Sequence, residues 1–398
     1  MEWKTVKLGD IVQRKIGYGV VQPGDSPSVG IPVVKVKDVI AGLSSIDKLD
    51  KTTYEIAENY PRTQLHGGEL VISLVGSVGK TTIVPKSFAG CNLVRATGMI
   101  DIANDVMTKW VKYYIDSPEG QNYIQMNLNT TVQATLNVKD LAAMEIPMPT
   151  TRDKIVAILS SLDAKIDNNN RINANLEAQA QALYKSWFVN FDPWGGIMPD
   201  DWKEVSLDDM TSKFGTGLNP RKNFKLGEGE NFYVTIKNMA DNRVYLDERC
   251  DKVTDEAIEK INKRSKLQAG DLLFSGIGTI GRVALVTDTP TNWNTSESVF
   301  NLHPAENISS EFLYVLLLSD TFQQYVKVYA QGGVQQGIRM ASLKDYKMYL
   351  PDDKVLRQFD EQIIPIISRI KNFEKENDHL ATLRDTLLPK LMKGEIEL

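Results

Sequence analysis

The segment with the strongest structural pattern is Asp153–Asn190, DKIVAILSSLDAKIDNNNRINANLEAQAQALYKSWFVN. A stripe runs along it at alternating steps of four and three residues: Ile155, Leu159, Leu162, Ile166, Asn169, Asn173, Leu176, Ala180, Leu183 and Trp187. This pattern is typical of a coiled coil, because a 3.5-residue repeat keeps one stripe facing a partner helix. Asp153 occupies a helix-cap position, and the first helix breakers are Pro193 and Gly195. We expect a helix of about 57 Å, which needs a partner to bury its stripe.

The C-terminal segment carries a matching stripe from Asp353 onward. Its members are Leu356, Phe359, Ile363, Ile366, Ile370, Phe373, Asn377, Leu380, Arg384, Leu387 and Leu391. Asn173 and Asn377 place a polar residue in each seam, a feature that fixes register at some cost in stability. Pro365 predicts a bend, because proline removes a backbone donor, and Pro389 predicts a second bend or the end of the helix.

The composition describes an ordinary globular protein. With 398 residues, 42% hydrophobic and 24% charged, the chain can form two or three domains, each with its own core. Cys91 and Cys250 cannot build a disulfide framework, and no apolar run reaches membrane-spanning length, so we expect a cytoplasmic protein without membrane contact. The net charge of −5 gives no overall attraction to nucleic acid, so a DNA-binding surface has to be a local patch.

The chain repeats itself with a period of about 200 residues. The matching segments are WKTVKLGD (3–10) with WKEVSLDD (202–209), VVKVKD (33–38) with YVTIKN (233–238), LHGGELVISLVGSVGK (65–80) with LQAGDLLFSGIGTIGR (267–282), and TVQATLNVKDL (131–141) with GVQQGIRMASLKDY (333–346). Each copy closes on an apolar strand that ends in Pro147 or Pro351 and then enters its long helix. A duplicated unit has a pseudo-twofold arrangement available to it, so we favour an antiparallel pairing of the two helices within one molecule. Two unrelated surface helices or a homodimer seam are the alternatives.

Short apolar runs alternate with helical ones inside each copy. The predicted strands are Pro32–Val36, Leu70–Leu74 and Thr82–Pro85 with Phe232–Ile236, Asp271–Ser275 and Arg282–Val286, and the predicted helices are Val106–Asp116 and Ser310–Leu318. This mixture favours an α+β fold: two similar globular domains joined by two long antiparallel coiled-coil helices, with pseudo-twofold symmetry. The predicted bounds are 1–150 and 202–352 for the two domains, 151–192 and 353–398 for the helices, and 193–201 for a linker.

The segment Gly76-Ser-Val-Gly-Lys-Thr81 resembles half of a phosphate-binding loop. A complete loop needs glycine where Leu74 stands, and the second copy, Gly278-Thr-Ile-Gly-Arg-Val283, lacks the Lys-Thr pair. The pattern instead favours a strand-to-strand turn whose glycines allow close approach of the backbone, or a tight hairpin and nothing more.

Nothing in the sequence supports catalysis. His66, His303 and His379 lie far apart and near no cysteine, so there is no metal signature. The segments NFDPW (190–194) and PDDWK (199–203) resemble parts of methyltransferase and nuclease motifs, but each lacks the rest of its motif, and we interpret both as structural.

The remaining candidates are amide-rich loops at 127–133 and 331–339, together with nearby cations. Asn or Gln can bind adenine and Arg can bind guanine through paired hydrogen bonds, while Lys and Arg also bind phosphates. For any one of these residues alone, a solvated surface role is the simpler interpretation. The candidate DNA-binding residues are Lys35, Lys37, Ser77, Lys80, Arg95, Thr131, Gln133, Lys237, Asn238, Thr279, Arg282, Gln335, Gln336 and Arg339.

Taken in order, these motifs resemble the specificity (S) subunit of type I restriction–modification systems over essentially the whole chain. The marks are the Trp-x4-Leu-x-Asp openings at Trp3 and Trp202, the Gly-Glu/Asp-Leu turns at Gly68 and Gly270, the closings at 132–147 and 334–351, and the long helix after each. Asp208 stands where the first opening has Gly9, so the start of that strand can differ locally.

The resemblance implies a non-catalytic subunit with two target recognition domains, each reading one half of a split DNA sequence. The helices would act as a ruler and dock two modification (methyltransferase) subunits, which restriction subunits would join. The helix residues expected to pair or dock are Ile155, Leu162, Ile166, Leu176, Leu183, Trp187, Phe359, Ile363, Ile370, Leu380 and Leu387. The chain itself would bind no cofactor, and S-adenosylmethionine, ATP and magnesium would belong to its partners.

The expected mechanism is geometric: two readers face DNA about 34 Å apart, one helical turn of the duplex. A rival interpretation is a protein-interaction scaffold with duplicated domains and no DNA involvement. An S subunit that serves a methyltransferase without a restriction partner is a further alternative, and an enzyme acting alone is the least favoured.

Overall fold

The structure is a computed structural model that describes residues 3–129, 133–332 and 336–397. It divides into two compact units, each containing parts of both long helices. The first unit consists of Met1–Asn168 with Asn377–Leu398, and the second unit consists of Asn169–Glu376. No helix among the described residues is both long and apolar enough to cross a membrane.

The first unit contains short strands, short helices and the start of a long helix. The strands are β1 (Thr5–Lys7), β2 (Arg14–Tyr18), β3 (Ile31–Val34), β4 (Asp50–Thr52), β5 (Leu70–Ser73), β6 (Thr81–Ile83), β7 (Asn92–Leu93), β8 (Thr97–Asp101), β9 (Leu128–Asn129), β10 (Thr135–Leu136) and β11 (Glu145–Pro147). The α-helices are α1 (Val36–Ala41), α2 (Tyr54–Glu58), α3 (Asp105–Asp116), α4 (Pro118–Met126), α5 (Val138–Ala142) and the long α6 (Arg152–Phe188), whose second half belongs to the second unit.

The second unit has a similar order of elements, with a short 3₁₀ helix and the strands β15 and β16 where the first unit has α1. Its strands are β12 (Lys203–Ser206), β13 (Thr211–Thr216), β14 (Asn231–Val234), β15 (Met239–Ala240), β16 (Arg243–Val244), β17 (Asp251–Val253), β18 (Leu272–Ser275), β19 (Val283–Leu285), β20 (Trp293–Thr295), β21 (Val299–Pro304) and β22 (Lys347–Leu350). Its α-helices are α7 (Asp255–Ser265), α8 (Ser310–Leu318), α9 (Asp320–Tyr329), α10 (Met340–Lys344) and α11 (Asp353–Met392), which returns to the first unit. Short 3₁₀ helices in the chain are Leu8–Asp10, Ile46–Lys48, Pro61–Thr63, Lys86–Phe88, Asp192–Trp194 and Ile236–Asn238.

Three sheets have the same topology in the two units, and each unit adds a further pair, β10-β9 in the first and β15-β16 in the second. In the first, a four-stranded sheet has the order β2-β8-β5-β6, and in the second the order is β13-β21-β18-β19. Each unit adds a three-stranded mixed sheet, β4-β3-β7 or β17-β14-β20, and an antiparallel pair, β1-β11 or β12-β22, that brings the start and the end of the copy together. The internal duplication and the α+β class are therefore confirmed, whereas the predicted domain bounds stay a prediction.

Polar side chains cap the first turns of several helices and so set where these helices begin. Ser117 Oγ accepts a hydrogen bond from the Gly120 amide (3.2 Å) at the start of α4, and Ser319 Oγ does the same for Phe322 (3.3 Å) at the start of α9. The predicted strand Pro32–Val36 is too long, because Asp38 Oδ2 accepts from the Lys35 amide (2.8 Å) and starts α1 at Val36.

The long helices pack against each other in antiparallel fashion, as predicted. In the second unit, Asn169 Nδ2 donates to Glu376 Oε2 (2.8 Å), Asn173 Nδ2 donates to the Ile370 carbonyl (3.4 Å), and the Trp187 and Phe359 rings lie 5.6 Å apart. In the first unit, Arg384 Nη1 donates to Asp163 Oδ1 (2.9 Å), and Leu388 and Leu391 share a core with Ile155 and Leu159. Every predicted pairing or docking residue on the helices is buried or partly buried.

Three local predictions about the helices need correction. Asp153 lies in the first turn of α6 rather than at its cap. The helix ends at Phe188, before Pro193, because Phe191 adopts a left-handed backbone conformation (φ 56°) that turns the chain. Of the two outcomes predicted for Pro389, the end of the helix is wrong, because α11 is continuous through Pro365 and runs to Met392. The bends predicted at Pro365 and Pro389 stay predictions.

Aromatic packing anchors α11 in the second unit. Phe359 is fully buried, and its ring centroid lies 4.9 Å from that of Phe188 and 5.9 Å from that of Phe312. We predict that Phe359→Ala lowers the free energy of unfolding by about 3–5 kcal/mol, because the vacated space cannot close fully. Urea unfolding followed by tryptophan fluorescence measures this, and Ile364→Ala, an exposed site on the same helix, is the control. An equal loss of unfolding free energy in Phe359→Ala and Ile364→Ala would contradict the buried packing of the Phe359 ring.

Candidate nucleic-acid interface

Each unit presents the same glycine-containing turn between two antiparallel strands. In the first unit the turn joins β5 to β6, and buried Ser73 holds it: its Oγ donates to the Ser77 carbonyl (2.5 Å) and accepts from the Lys80 amide (2.9 Å). Gly76 and Gly79 have φ angles of 79° and 84°, which side chains other than glycine rarely adopt.

The turn between β18 and β19 in the second unit has the same bonds. Ser275 Oγ donates to the Thr279 carbonyl (2.7 Å) and accepts from the Arg282 amide (2.8 Å). The predicted strand-to-strand turn is thus confirmed in both copies. It is not a strand-to-helix phosphate loop, because strand β6 or β19 follows it.

Each turn is fixed by a bond to the amide-rich loop. The Gly76 amide donates to the Ala134 carbonyl (2.9 Å), and the Gly278 amide donates to the Gln336 carbonyl (2.7 Å). In the first unit the turn therefore contacts the residue that follows the 127–133 loop, and in the second unit it contacts Gln336 within the 331–339 loop.

Two glutamines that sequence reasoning missed hold the turns from the other side. Gln121 Nε2 donates to the Gly79 carbonyl (3.1 Å) and the Ile115 carbonyl (2.8 Å). Gln323 Nε2 donates to the Gly281 carbonyl (3.0 Å) and the Leu317 carbonyl (2.7 Å). Both occur at matching places in the repeat, and that repetition is the sequence signal that could have found them.

Several predicted DNA-binding residues are exposed at these surfaces, and others lie elsewhere. Ser77, Lys80, Arg95 and Gln133 are exposed in the first unit, and Thr279, Gln336 and Arg339 are exposed in the second. Thr131 and Gln335 lie outside the described residues. No ion pair is found for Lys80, Arg95 or Arg339 within the described parts of the chain, so their charges are available to a ligand.

Three predicted lysines bind carboxylates of their own unit. The ammonium groups of Lys35 and Lys37 lie 3.0 and 2.9 Å from Asp50 Oδ2, and that of Lys237 lies 3.0 Å from Asp251 Oδ2. The hydrogen bond with Lys37 lowers the pKa of Asp50, and the pKa of Lys37 is raised by the same contact. A phosphate would have to compete with these carboxylates.

Two further candidates hold the fold together. Asn238 is fully buried, and its Oδ1 accepts from the Thr235 amide (2.9 Å), which starts a 3₁₀ helix. Arg282 is partly buried and donates through Nη1 to the carbonyls of Ile236 (3.0 Å) and Met239. Burial keeps Asn238 from reaching a ligand. Arg282 is held against its own unit through Nη1, and its role in DNA binding stays a prediction.

A cavity of about 440 Å³ opens beside the turn in the first unit. Its lining includes Arg95 and Thr135 together with Tyr18, Val21 and Asn137, which sequence reasoning missed. Tyr18 and Val21 are 53% and 44% exposed, so the cavity offers apolar contact area beside a free guanidinium and an amide. Such a mixture suits base edges, including the thymine methyl group. Among the described residues, no group of three or more His, Cys, Asp or Glu could hold a metal ion.

The buried serine of each turn can be tested directly. We predict that Ser73→Ala destabilises the first unit by about 1–3 kcal/mol, because the Lys80 amide and the Ser77 carbonyl lose their buried partner. Native-state hydrogen exchange should quicken at Lys80, and with Ser275→Ala at Arg282. Ser77→Ala, on the exposed side of the turn, is the control and should leave exchange unchanged. Unaltered protection in Ser73→Ala would show that the serine does not hold the turn.

Comparison with known proteins agrees with this duplicated arrangement. The family described as the type I restriction modification DNA specificity domain matches residues 1–178 and 199–384. The HindI specificity subunit of a type I restriction enzyme from Haemophilus influenzae is 25% identical over 368 residues, covering 74% of this chain and 78% of that protein. The MjaIX specificity subunit from Methanocaldococcus jannaschii is 22% identical over 421 residues, covering 99% and 94%.

A solved structure has the same fold. The crystal structure of the type I restriction–modification system S subunit from M. genitalium matches with a TM-score of 0.55 at 14% identity, covering 98% of this chain and 96% of that one. The chain therefore belongs to the type I restriction–modification DNA specificity family, as a non-catalytic specificity subunit with two copies of the DNA specificity domain.

Proposed function

We propose that the chain reads a bipartite duplex DNA target, with one half-site bound by each unit. The observation that carries this proposal is the duplicated surface of turn and amide-rich loop, held in each unit by the same serine and glutamine bonds. The exposed side chains on it differ between the copies, so each unit would read a different sequence. The contact set comprises Ser77, Lys80, Arg95 and Gln133 in the first unit and Thr279, Gln336 and Arg339 in the second, with Thr131 and Gln335 as members from the sequence.

Few free cations lie on these surfaces, and the net charge is −5. Since phosphate contacts supply most nonspecific affinity, part of the affinity would come from partner subunits. Two modification subunits would dock on the long helices, where Leu162, Ile166 and Leu176 are only partly buried, and restriction subunits would join them. S-adenosylmethionine, ATP and magnesium would be bound by those partners.

Exchange of the first predicted recognition domain tests whether the half-sites are read separately. We predict that replacing residues 1–150 with the same segment of another specificity subunit changes one half-site and leaves the other intact. Methylome sequencing of a host that carries the chain with its modification partner measures both half-sites. A change in both would contradict the model of one reader per half-site.

A protein-interaction scaffold would behave differently. Such a scaffold would show no salt-dependent retention on duplex DNA, with or without the modification partner, whereas a reader should lose retention as salt rises.

The helix pair would set the distance between the half-sites. Deleting Asn173–Leu176 removes about 6 Å of helix, the length of about two base pairs, and we predict a changed gap between unchanged half-sites. Methylome sequencing reads the gap directly. The control is Gln179→Ala, at an exposed position in the same helix, which keeps the helix length and should leave the gap as it is. An unchanged gap in the deletion variant would contradict the proposal that the helix pair sets the distance between the half-sites.

A further inference from the structure

One turn has the same backbone in both units but carries opposite charges. It joins β7 to β8 in the first unit and β20 to β21 in the second. Buried Asn92 Oδ1 accepts from the Leu93 amide (2.8 Å), and buried Asn294 Oδ1 accepts from the Thr295 amide (2.6 Å). Three residues after each asparagine stand Arg95 and Glu297, so these two residues occupy equivalent positions.

The backbone bonds around the turn support this equivalence. The Val94 amide donates to the Val34 carbonyl (3.2 Å), and the Ser296 amide donates to the Val234 carbonyl (2.8 Å). The turn then closes with a bond from Thr97 to Val94 (2.9 Å) in the first unit and from Val299 to Ser296 (3.1 Å) in the second. The two turns therefore have equivalent backbone hydrogen bonds, and the charge differs only because one carries Arg95 and the other Glu297.

Arg95 is exposed at the rim of the 440 Å³ cavity. Its amide donates to the Val20 carbonyl (2.8 Å), which fixes the backbone, while its guanidinium makes no hydrogen bond or ion pair with the described residues. Thr135 and Asn137 line the same cavity. A guanidinium carries only donors, so at a base edge it pairs with the N7 and O6 acceptors of guanine.

Glu297 is partly buried and held in place. Asn219 Nδ2 donates to its Oε1, and the Tyr233 hydroxyl lies 3.3 Å from its Oε2. The Tyr233 hydroxyl also donates to the Leu218 carbonyl (2.8 Å), which ties the segment carrying Asn219 to the same place. A carboxylate carries only acceptors, and at a base edge it accepts from the N4 amino group of cytosine.

The connection before the three-stranded sheet differs in charge in the opposite sense to the turn. In the first unit, residues 19–30 contain no Lys or Arg, whereas residues 217–230 of the second unit carry the exposed cations Arg221, Lys222 and Lys225. The Lys225 ammonium lies 3.7 Å from Glu228 Oε1, which leaves Arg221 and Lys222 for the argument. The Arg221 amide donates to Asn219 Oδ1 (3.0 Å), so these cations follow directly on the residue that binds Glu297. They can bind phosphates and offset the repulsion between the carboxylate and the DNA backbone.

We propose that Arg95 and Glu297 are equivalent specificity positions, with Arg95 reading guanine in one half-site and Glu297 reading cytosine in the other. This inference rests on the proposed function of one half-site per unit. It adds a residue, Glu297, and a base identity for each position.

Methylome sequencing of strains that carry the chain with its modification partner tests the proposal. Arg95→Lys keeps the charge but loses the paired geometry, and Arg95→Gln removes the charge. Both should reduce discrimination at one base pair of one half-site by about 5- to 150-fold. Glu297→Gln should do the same at one base pair of the other half-site, and Glu297→Asp, which keeps the charge but shortens its reach, is its second variant.

Arg62→Gln and Glu259→Gln, at exposed positions outside the cavity and the turn, are the matched controls and should leave the methylated motif unchanged. A uniform loss of methylation at all sites in the Arg95 variants would identify a phosphate contact and overturn the proposal for Arg95. An unchanged motif in both Glu297 variants would overturn it for Glu297. If the unaltered chain produced no bipartite methylated motif, the proposed function itself would fail. If the unaltered chain produced such a motif and the variants left it unchanged, only the assignment of Arg95 and Glu297 would fail.

Discussion

Both units depend on the burial of the apolar stripe of α6 against that of α11. A helix such as α6 presents an apolar stripe that no short element could cover along its whole length. In the second unit α6 meets α11 through Phe188 and Phe359, and Phe312 of α8 joins them, with ring centroids 4.9 to 5.9 Å apart. The bond from Asn173 Nδ2 to the Ile370 carbonyl lies in this seam and adds a polar contact that depends on the register of the two helices. Each unit is thus completed by segments far apart in the sequence.

The duplicated units show which parts of the domain are scaffold and which can vary. The bonds that recur are made by buried or partly buried side chains: Ser73 and Ser275 in the turns, Gln121 and Gln323 beside them, and Asn92 and Asn294 in the parallel strands. They satisfy backbone groups that would otherwise be left unpaired inside the protein. Arg95 and Glu297 lie at equivalent positions of one turn in the two units and differ in charge. A domain built this way can change what it binds without changing how it folds.

Charge placement separates side chains that can bind a ligand from side chains that are engaged within the fold. Lys37 and Lys237 occupy matching positions and both bind an aspartate, so the repeat preserves an ion pair rather than a free cation. Lys80 and Arg282 also match, yet Lys80 is exposed while Arg282 donates to two carbonyls of its own unit. Equivalent basic residues therefore contribute differently to the surface, because an exposed charge and a partly buried one face different costs of desolvation.

The helices, the duplication and the turns could be predicted from the amino-acid sequence, because periodicity, repeated order and glycine spacing are local patterns. The seam from Ile155 to Trp187 and the strand-to-strand turn at Gly76 could be predicted for that reason. Three features are visible only in the folded chain: Asn238 is buried, Phe191 turns the chain after the long helix, and Tyr18 shares a cavity with Arg95. These facts depend on which distant segments meet, since Tyr18 belongs to β2 and Arg95 follows β7. No local pattern encodes such a meeting, because it follows from the packing of the whole unit.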